Sequence, residues 1–539
     1  MNRIDEIPNV FNFAAYLLEE NLKRGNRDKV AFCDRDRTYT YSQLNNLVQC
    51  SAGLLAKLGV ERENRVGILL PNCIESIVFF LGAIWLGAVP VPINPACSEE
   101  EINYILQDSR LKVLLTSPEW VEKLGLFCQL FVKRDEGTGR LGDWGTRGLG
   151  SDYLDRVLLV DGERPFLSLL EDSPELTSCA PTSPDEAAFW LYTSGSTGKP
   201  KGVIHAHRSA LMCIEKYAKG ILGLDPEDVI YSVANIAFAY GLGNSLYFPL
   251  AVGATSVLSD ANNAFDLIED IHKYRPTVFF GIPSVDARLL EVREIASLDS
   301  SSLRLCVSAA EQLPKSIWQE WQDKHGIEIC EGIGTTEFLH IFLSNRLGES
   351  RSGSSGRPVP GYDVRVVDEN GLLCEDEEIG ELQVSGESLM LGYWNQLQKT
   401  RQAIYGNTMR TGDKYKRDRD GWFYFMGRGD DLFKVNGQWI SPLEIEAVLY
   451  QHPQVLEVAI IPEYSNGDRL TEILAYISLK SEQQPDIDTE RSIRTFAKQH
   501  LPHFKTPKQI CFMESLPRTS TGKVHRQRLK EKRSSIKVG

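Results

Sequence analysis

The sequence predicts an α/β protein: a large N-terminal domain with parallel-type sheets covered by helices, plus a small mobile α+β C-terminal domain. Three observations predict it. Short apolar runs alternate with helical patterns from residue 65 to about residue 310, the rhythm of strands that need a crossover helix to return parallel. Past residue 360 the texture turns to short β-like pieces, and past 430 to a compact mixture of helix and strand. The 539 residues are enough for two to four domains, each with its own core.

The elements follow in order. RVGILLP (65–71) is an apolar run of strand length, ESIVFFLGAIWLGA (75–88) a buried helix, and VPVPI (89–93) the next strand. Ser76 to Ser98 carries no charge, but Pro90, Pro92 and Pro95 break it well short of the roughly 20 apolar residues that a membrane span needs. A helix starts near Glu99 and leads into LKVLLT (111–116). The rhythm recurs at ATSVL (254–258), DLIEDIHKYR (266–275), TVFFGIP (277–283) and LRLCVSA (303–309). YDVRVVDENG (362–371) and GELQVSG (380–386) read as strands, and 410–431 as a turn-rich stretch. A Ser-Pro start opens a helix over 440–453, followed by strands VLEVAIIPE (455–463) and EILAYISLK (472–480). The expected boundary falls near Asp430, giving domains 1–429 and 430–539.

Composition excludes several classes. Lys and Arg number 59 against 73 Asp and Glu, a net charge of −14, so a global basic footprint for nucleic acid or anionic lipid is missing. The 11 cysteines are scattered with no CxxC pair, which suits reduced core thiols and a cytoplasmic setting. The N-terminal segment MNRIDEIPNVFNFAAYLLEE lacks the apolar run of a signal peptide. The polar, Gly-rich stretch 133–152 reads as a surface insertion, neutral or docking a partner. Its Gly137-x-Gly139-x-x-Gly142 lacks the following helix that a dinucleotide fingerprint requires.

One stretch carries chemistry on its face. In WLYTSGSTGKPKGVIHAH (190–207) a strand end runs into a dense set of Thr, Ser and Gly, then two lysines, Lys199 and Lys201. Hydroxyls and bare backbone N–H groups suit phosphate oxygens, and lysines add charge. It is not a P-loop, because the residue five after Gly195 is Pro200. His205 and His207 form an HxH pair for which no third metal ligand is evident at suitable spacing.

That string resembles the signature loop of the adenylate-forming superfamily of acyl- and aryl-CoA synthetases. Further matches follow in the family's order: VSAAEQLP (307–314), EGIGTTE (331–337), RTGD (410–413), GRGDD (427–431) and PRTSTGK (517–523). The resemblance implies residue roles. Thr193, Ser194, Gly195, Ser196, Thr197, Gly198 and Lys201 would wrap the ATP phosphates. Ala310, Glu311, Gly332 and Thr335 would line the nucleotide, Thr336 would bond the α-phosphate, and Glu337 would hold Mg²⁺. Asp413 would accept the ribose hydroxyls, with Arg428 helping. Lys523 would be the catalytic lysine, set between the substrate carboxylate and the α-phosphate; on its own it reads as a solvated residue of a basic tail. Asp430 would be the hinge on which the small domain swings between two half-reactions. The 434–442 loop, with Gly437, Gln438 and Trp439, would line the thiol tunnel.

NIAFAYGLGNSLYFPL (235–250) and GIGTTEFLHIFLSNR (332–346) look like the benzoate-CoA ligase branch. That implies an acyl pocket of Phe238, Ala239, Tyr240, Gly334, His340 and Ile341, a flat apolar slot for a ring. His340 would close the pocket or polarise the carboxylate end, or else is a core histidine; Phe238 and Tyr240 also read as plain core aromatics. Asn235 stands where amino-acid-activating relatives carry an acid. The expected activity is formation of an aryl-CoA, AMP and pyrophosphate from an aryl acid, ATP and CoA by a monomer or homodimer. Two alternatives are a free-standing adenylation enzyme that loads a carrier protein in trans, against which the short tail after Lys523 favours CoA, and a non-catalytic nucleotide-binding protein.

Overall fold

The computed structural model describes residues 7–125, 154–161, 165–193, 199–261, 263–292, 298–429, 431–435, 438–465, 470–480, 483–518 and 524–537. The Gly-rich stretch 133–152 lies outside them. Among the described residues the largest sheet has nine strands. In spatial order they are Arg357–Pro358, Ile341–Ser344, Ile329–Gly334, Leu305–Ser308, Val278–Gly281, Val229–Ser232, Thr255–Leu258, Val30–Asp34 and Arg37–Thr40. Its centre is parallel, and both edges turn antiparallel. A second sheet, Val89–Ile93, Arg65–Leu69, Val113–Thr116 and Arg156–Leu159, is parallel throughout. The expected alternation of strand and helix is present, with antiparallel edges added.

The apolar segment after residue 73 forms the helix Ile74–Leu86, which ends at Gly87 in the left-handed region. It packs within the main core, where Ile77, Val78, Phe79, Phe80, Leu81 and Ile84 are fully buried. A helix this apolar has no polar face, so burial on every side is its stable state. Cys73 offers its start no side-chain cap. Asp34, at the end of the strand Val30–Asp34 of the large sheet, accepts the Ile74 N–H at 3.1 Å instead, and Arg37 pairs with both Asp34 and Glu75. No described helix is long and apolar enough to cross a membrane.

The stretch 410–431, expected to be turn-rich, is mostly strand. Thr408–Arg417 and Phe423–Arg428 pair antiparallel, joined through a turn whose N–H groups at 420 and 422 bond to Asp418. Alternate residues Met409, Thr411, Asp413 and Tyr415 point inward. Two of those four are polar, so the period-two apolar signal is broken in the sequence. The 434–442 segment is likewise a hairpin, Phe433–Val435 against Gln438–Ile440, followed by the helix Pro442–Leu449. Two buried clusters draw wholly on residues 433–529, over the antiparallel pair Val455–Ser465 and Leu470–Leu479 and the parallel addition of Gln509–Phe512.

Candidate active site

The phosphate-loop candidates stand at the ends of two antiparallel strands. Ala187–Thr193 pairs with Lys201–Ala206, Thr193 facing Lys201. Ser194, Gly195, Ser196, Thr197 and Gly198 lie outside the described residues. Lys201 Nζ sits 4.3 Å from the centre of the Tyr393 ring, a cation–π contact. Burial lowers its pKa from the usual value, and the Glu337 carboxylate opposes that shift.

Glu337 lies on a tight turn, Thr336–Phe338, between the strands Ile329–Gly334 and Ile341–Ser344. Thr335 caps the turn, its hydroxyl accepting the Phe338 N–H. Glu337 is 9% exposed, and its Oε1 accepts a 2.6 Å hydrogen bond from the Tyr393 hydroxyl. Burial, then this carboxylate, raises the Tyr393 phenol well above its usual pKa, so it stays the donor. Lys201, Tyr393 and Glu337 therefore form one contact cluster. Tyr393 was not singled out in the sequence; its only signal is an aromatic pair, Tyr393-Trp394, after a glycine.

His205 holds the same turn from beneath. Its Nε2–H donates to the Thr336 carbonyl at 2.8 Å, and its ring stacks on Phe189. Burial lowers its pKa to about 4, so the imidazole is neutral. His207 Nδ1 accepts the Phe13 N–H at 3.1 Å. The HxH pair is thus structural, and no group of three candidate metal ligands occurs among the described residues. A magnesium ion needs no such group, since it keeps waters and phosphate oxygens and takes one or two carboxylates. Glu337, with Oε1 held by Tyr393, fits that demand.

Asp413 and Arg428 face each other across their hairpin. Arg428 Nη1 lies 2.7 Å from Asp413 Oδ1, and the carboxylate is 4% exposed. The positive charge of Arg428 acts to lower the pKa of both Lys201 and Tyr393.

The 307–314 segment runs from Ser308, at the end of its strand, between two buried carboxyls. Ser308 Oγ donates to Asp286 Oδ2 at 2.6 Å, and Glu331 Oε1 accepts the Leu313 N–H at 3.2 Å. Burial raises Asp286 to about 7 and Glu331 to about 8. Neither was singled out as a site residue from sequence, although Glu331 opens the EGIGTTE string. Ala310 is exposed with φ 75°, strained for a residue with a Cβ, and Glu311 beside it is half-buried.

The acyl-pocket candidates converge. Ala239 and Tyr240 start a short helix capped by Phe238. The Tyr240 hydroxyl lies 3.1 Å from Gly281 O and 3.3 Å from Val307 O, reaching the ends of two central strands. The His340 ring is 5.6 Å from that of Tyr240 and 4.5 Å from Phe248. Gly334 is required here, because a Cβ on it would fall 2.0 Å from His340 O. Gly332 is buried with Ile341 against it. His340 Nε2 donates to Asn244 Oδ1 at 3.2 Å, and burial takes its pKa down to about 3. A neutral imidazole held by Asn244 does not polarise a carboxylate as a cation, which leaves His340 as a core histidine or a wall residue. Asn235 folds onto its own turn, its Oδ1 accepting the Ala237 N–H.

Three expected sites fall wholly or partly outside the described residues: Asp430, Gly437 and Lys523. Gln438 and Trp439 lie on the second strand of the small hairpin, opposite Val435 and Lys434.

Comparison with known proteins adds the following. Residues 18–394 match the family described as AMP-binding enzyme, and 444–523 its C-terminal domain. The chain is 38% identical over 534 residues to the benzoate–CoA ligase of Thauera aromatica, covering 97% of each. It is 38% identical over 530 residues to the 4-hydroxybenzoate–CoA/benzoate–CoA ligase of Rhodopseudomonas palustris, covering 97% of this chain and 94% of the other. The crystal structure of the anthranilate CoA ligase AuaEII with anthranoyl-AMP superposes with a TM-score of 0.89 at 33% identity, over 99% of this chain and all of that one.

Proposed function

Because the chain belongs to the AMP-binding enzyme family, we propose that it joins benzoate or a close aromatic analogue to CoA. It is an AMP-forming acid–CoA ligase of the benzoate–CoA ligase branch. The observation that supports the aromatic acid is the packing of Tyr240, Gly334, His340 and Ile341 against one another, with the His340 ring neutral. A slot without a fixed charge favours a ring over an amino acid or a dicarboxylate.

In this reading the acid's carboxylate oxygen attacks the α-phosphorus of ATP. The bond to the β-phosphate breaks and pyrophosphate leaves. Lys201, the 193–198 loop and Thr336 hold the phosphates, and Asp413 with Arg428 holds the ribose. Glu337, oriented by Tyr393, would hold Mg²⁺, which offsets phosphate charge when bound. Lys523 stands between the two anions and stabilises the charge that develops as they meet. In the second half-reaction the thiol attacks the acyl carbon, AMP leaves with the bonding pair, and the thiol proton passes to solvent. The small domain 430–539, hinged at Asp430 on domain 1–429, would swing between two poses for the two half-reactions, with the 434–442 hairpin along the thiol's path in the second. The separate buried clusters within 433–529 support that division. The ten free cysteines among the described residues support a reducing, cytoplasmic setting.

The test is pyrophosphate and AMP release over a panel of aryl and alkyl acids, with and without CoA, and the product's mass. Benzoate-type acids that turn over only with CoA and yield the matching thioester support the reading. Acid-dependent pyrophosphate exchange without thioester would replace CoA with a carrier protein. A preference for alkyl acids would overturn the aromatic assignment.

A further inference from the structure

The segment beyond Ser308 has no strand or helix of its own until Lys315 opens the next helix. Two buried carboxyls from neighbouring elements hold its two ends. Ser308 sits in the middle of a register row, paired with Gly281 on one side and with Glu331 on the other. From the first side Asp286, on the helix Pro283–Glu291, accepts a hydrogen bond from the Ser308 hydroxyl at 2.6 Å. Gly281 makes that approach possible, because a Cβ there would fall 2.2 Å from Asp286 Oδ1. From the other side Glu331 reaches the far end of the segment, its Oε1 accepting the Leu313 N–H at 3.2 Å. Asp286 is 2% exposed and Glu331 5%, whereas Ala310, between the two anchored ends, is exposed with φ 75°. A residue with a Cβ keeps that backbone conformation only where its surroundings over-determine it.

We infer that Asp286 and Glu331 are positioning residues for the nucleotide, clamping 309–312 in the shape that meets the base; this rests on the reading of Ala310 and Glu311 as nucleotide-lining residues. The proposed reaction uses neither carboxyl. Burying one costs free energy unless hydrogen bonds return it, and each spends a hydrogen bond on this segment. With both clamps in place the segment is ordered before the nucleotide arrives, so binding does not bear the cost of ordering it. Removing one clamp frees one end and leaves a buried group unpaired. The loss then falls on ligands that carry the base, and pyrophosphate, which has none, is spared.

That contrast separates positioning from structural support. The full-length protein is assayed for acid-dependent ATP–pyrophosphate exchange with the best acid of the panel, which gives a KM for ATP and one for pyrophosphate. Calorimetry gives the Kd for AMP without any acid. Ser308→Ala and Glu331→Met remove the donor at one end and the acceptor at the other. They are expected to raise the KM for ATP and the Kd for AMP about 10-fold. The KM for pyrophosphate and the exchange kcat should stay within about threefold. Asp286→Asn and Glu331→Gln keep an acceptor oxygen and should recover most of the affinity for AMP. Weakened AMP and pyrophosphate together, or a lower kcat with both KM values unchanged, would reduce the carboxyls to structural support and overturn the inference. So would parent-like AMP binding in Ser308→Ala and Glu331→Met. Ala310→Phe puts bulk on the segment itself; unchanged AMP binding there would overturn its reading as nucleotide-lining, and the inference with it. Absence of exchange with every acid, beside the expected AMP pattern, would count against the ligase reading alone and support the inference.

Discussion

At the scale of single residues, the site is organised by neighbours that chemistry alone does not reveal. Tyr393 and Glu337 are 56 positions apart, and His205 reaches the Thr336 carbonyl across 131. Such contacts have no local signal, whereas Glu337 and Asp413 stand in recognisable strings. The Tyr393 hydroxyl gives Glu337 a charge-assisted hydrogen bond, a type worth about 1.5–3 kcal/mol. Tyr393→Phe removes it and keeps the ring under Lys201. Adenylation is expected to fall about 10- to 100-fold, by the conversion of that energy to rate, and half-saturation by Mg²⁺ to move upward. Pyrophosphate release titrated with MgCl₂ checks both; unchanged Mg²⁺ dependence would separate Tyr393 from the metal role proposed for Glu337.

At the scale of elements, patterning was readable where burial and polarity agree. The apolar helix Ile74–Leu86 and strand Val89–Ile93 follow from an uncharged run punctuated by prolines. The Thr408–Arg428 hairpin was not readable, because its inward face carries Thr411 and Asp413. A strand that builds a polar site spends apolar positions on function, so its periodicity fades where it matters most. The start of the Ile74–Leu86 helix is capped from outside itself, by Asp34. Asp34→Ala should destabilise the large domain by about 1–2 kcal/mol, since it orphans the Ile74 N–H and removes one of two anions from Arg37. Asp34→Asn, which keeps an acceptor, should cost less. Hydrogen exchange at the amides of residues 74–78 checks this, with faster exchange expected in the alanine variant and much less change in the asparagine one.

At the scale of the whole molecule, buried titratable groups set opposing pH slopes. His205, His207 and His340 are held neutral, with pKa values lowered by burial to about 4, 4 and 3. Unfolded histidine binds its proton near pH 6.5, so the unfolded state takes up more protons below that point and stability falls toward acid. Asp286 and Glu331 run the other way, being raised by burial to about 7 and 8. The unfolded chain releases those protons near pH 4, so their contribution falls as pH climbs to about 8 and then levels off. Three histidines outweigh two carboxyls below pH 6.5, and the carboxyls act alone above it. From these groups thermal stability is expected to peak at about pH 6–7, and Asp286→Asn to flatten the alkaline side. Calorimetric midpoints from pH 5 to 8.5 check this; an Asp286→Asn curve parallel to the parent's would show that the carboxyl is ionised throughout. The hairpin that carries the phosphate loop has a further consequence. In the proposed reading the chain leaves the phosphate loop into the strand Lys201–Ala206, so this loop does not open a helix behind the phosphates as a P-loop does. Attraction then leans on side-chain cations, Lys199 at the surface and Lys201 half-buried. Mobile ions screen exposed charges over about 8–10 Å at moderate ionic strength. Nucleotide capture by this protein should therefore weaken as potassium chloride is raised, through a rising KM for ATP.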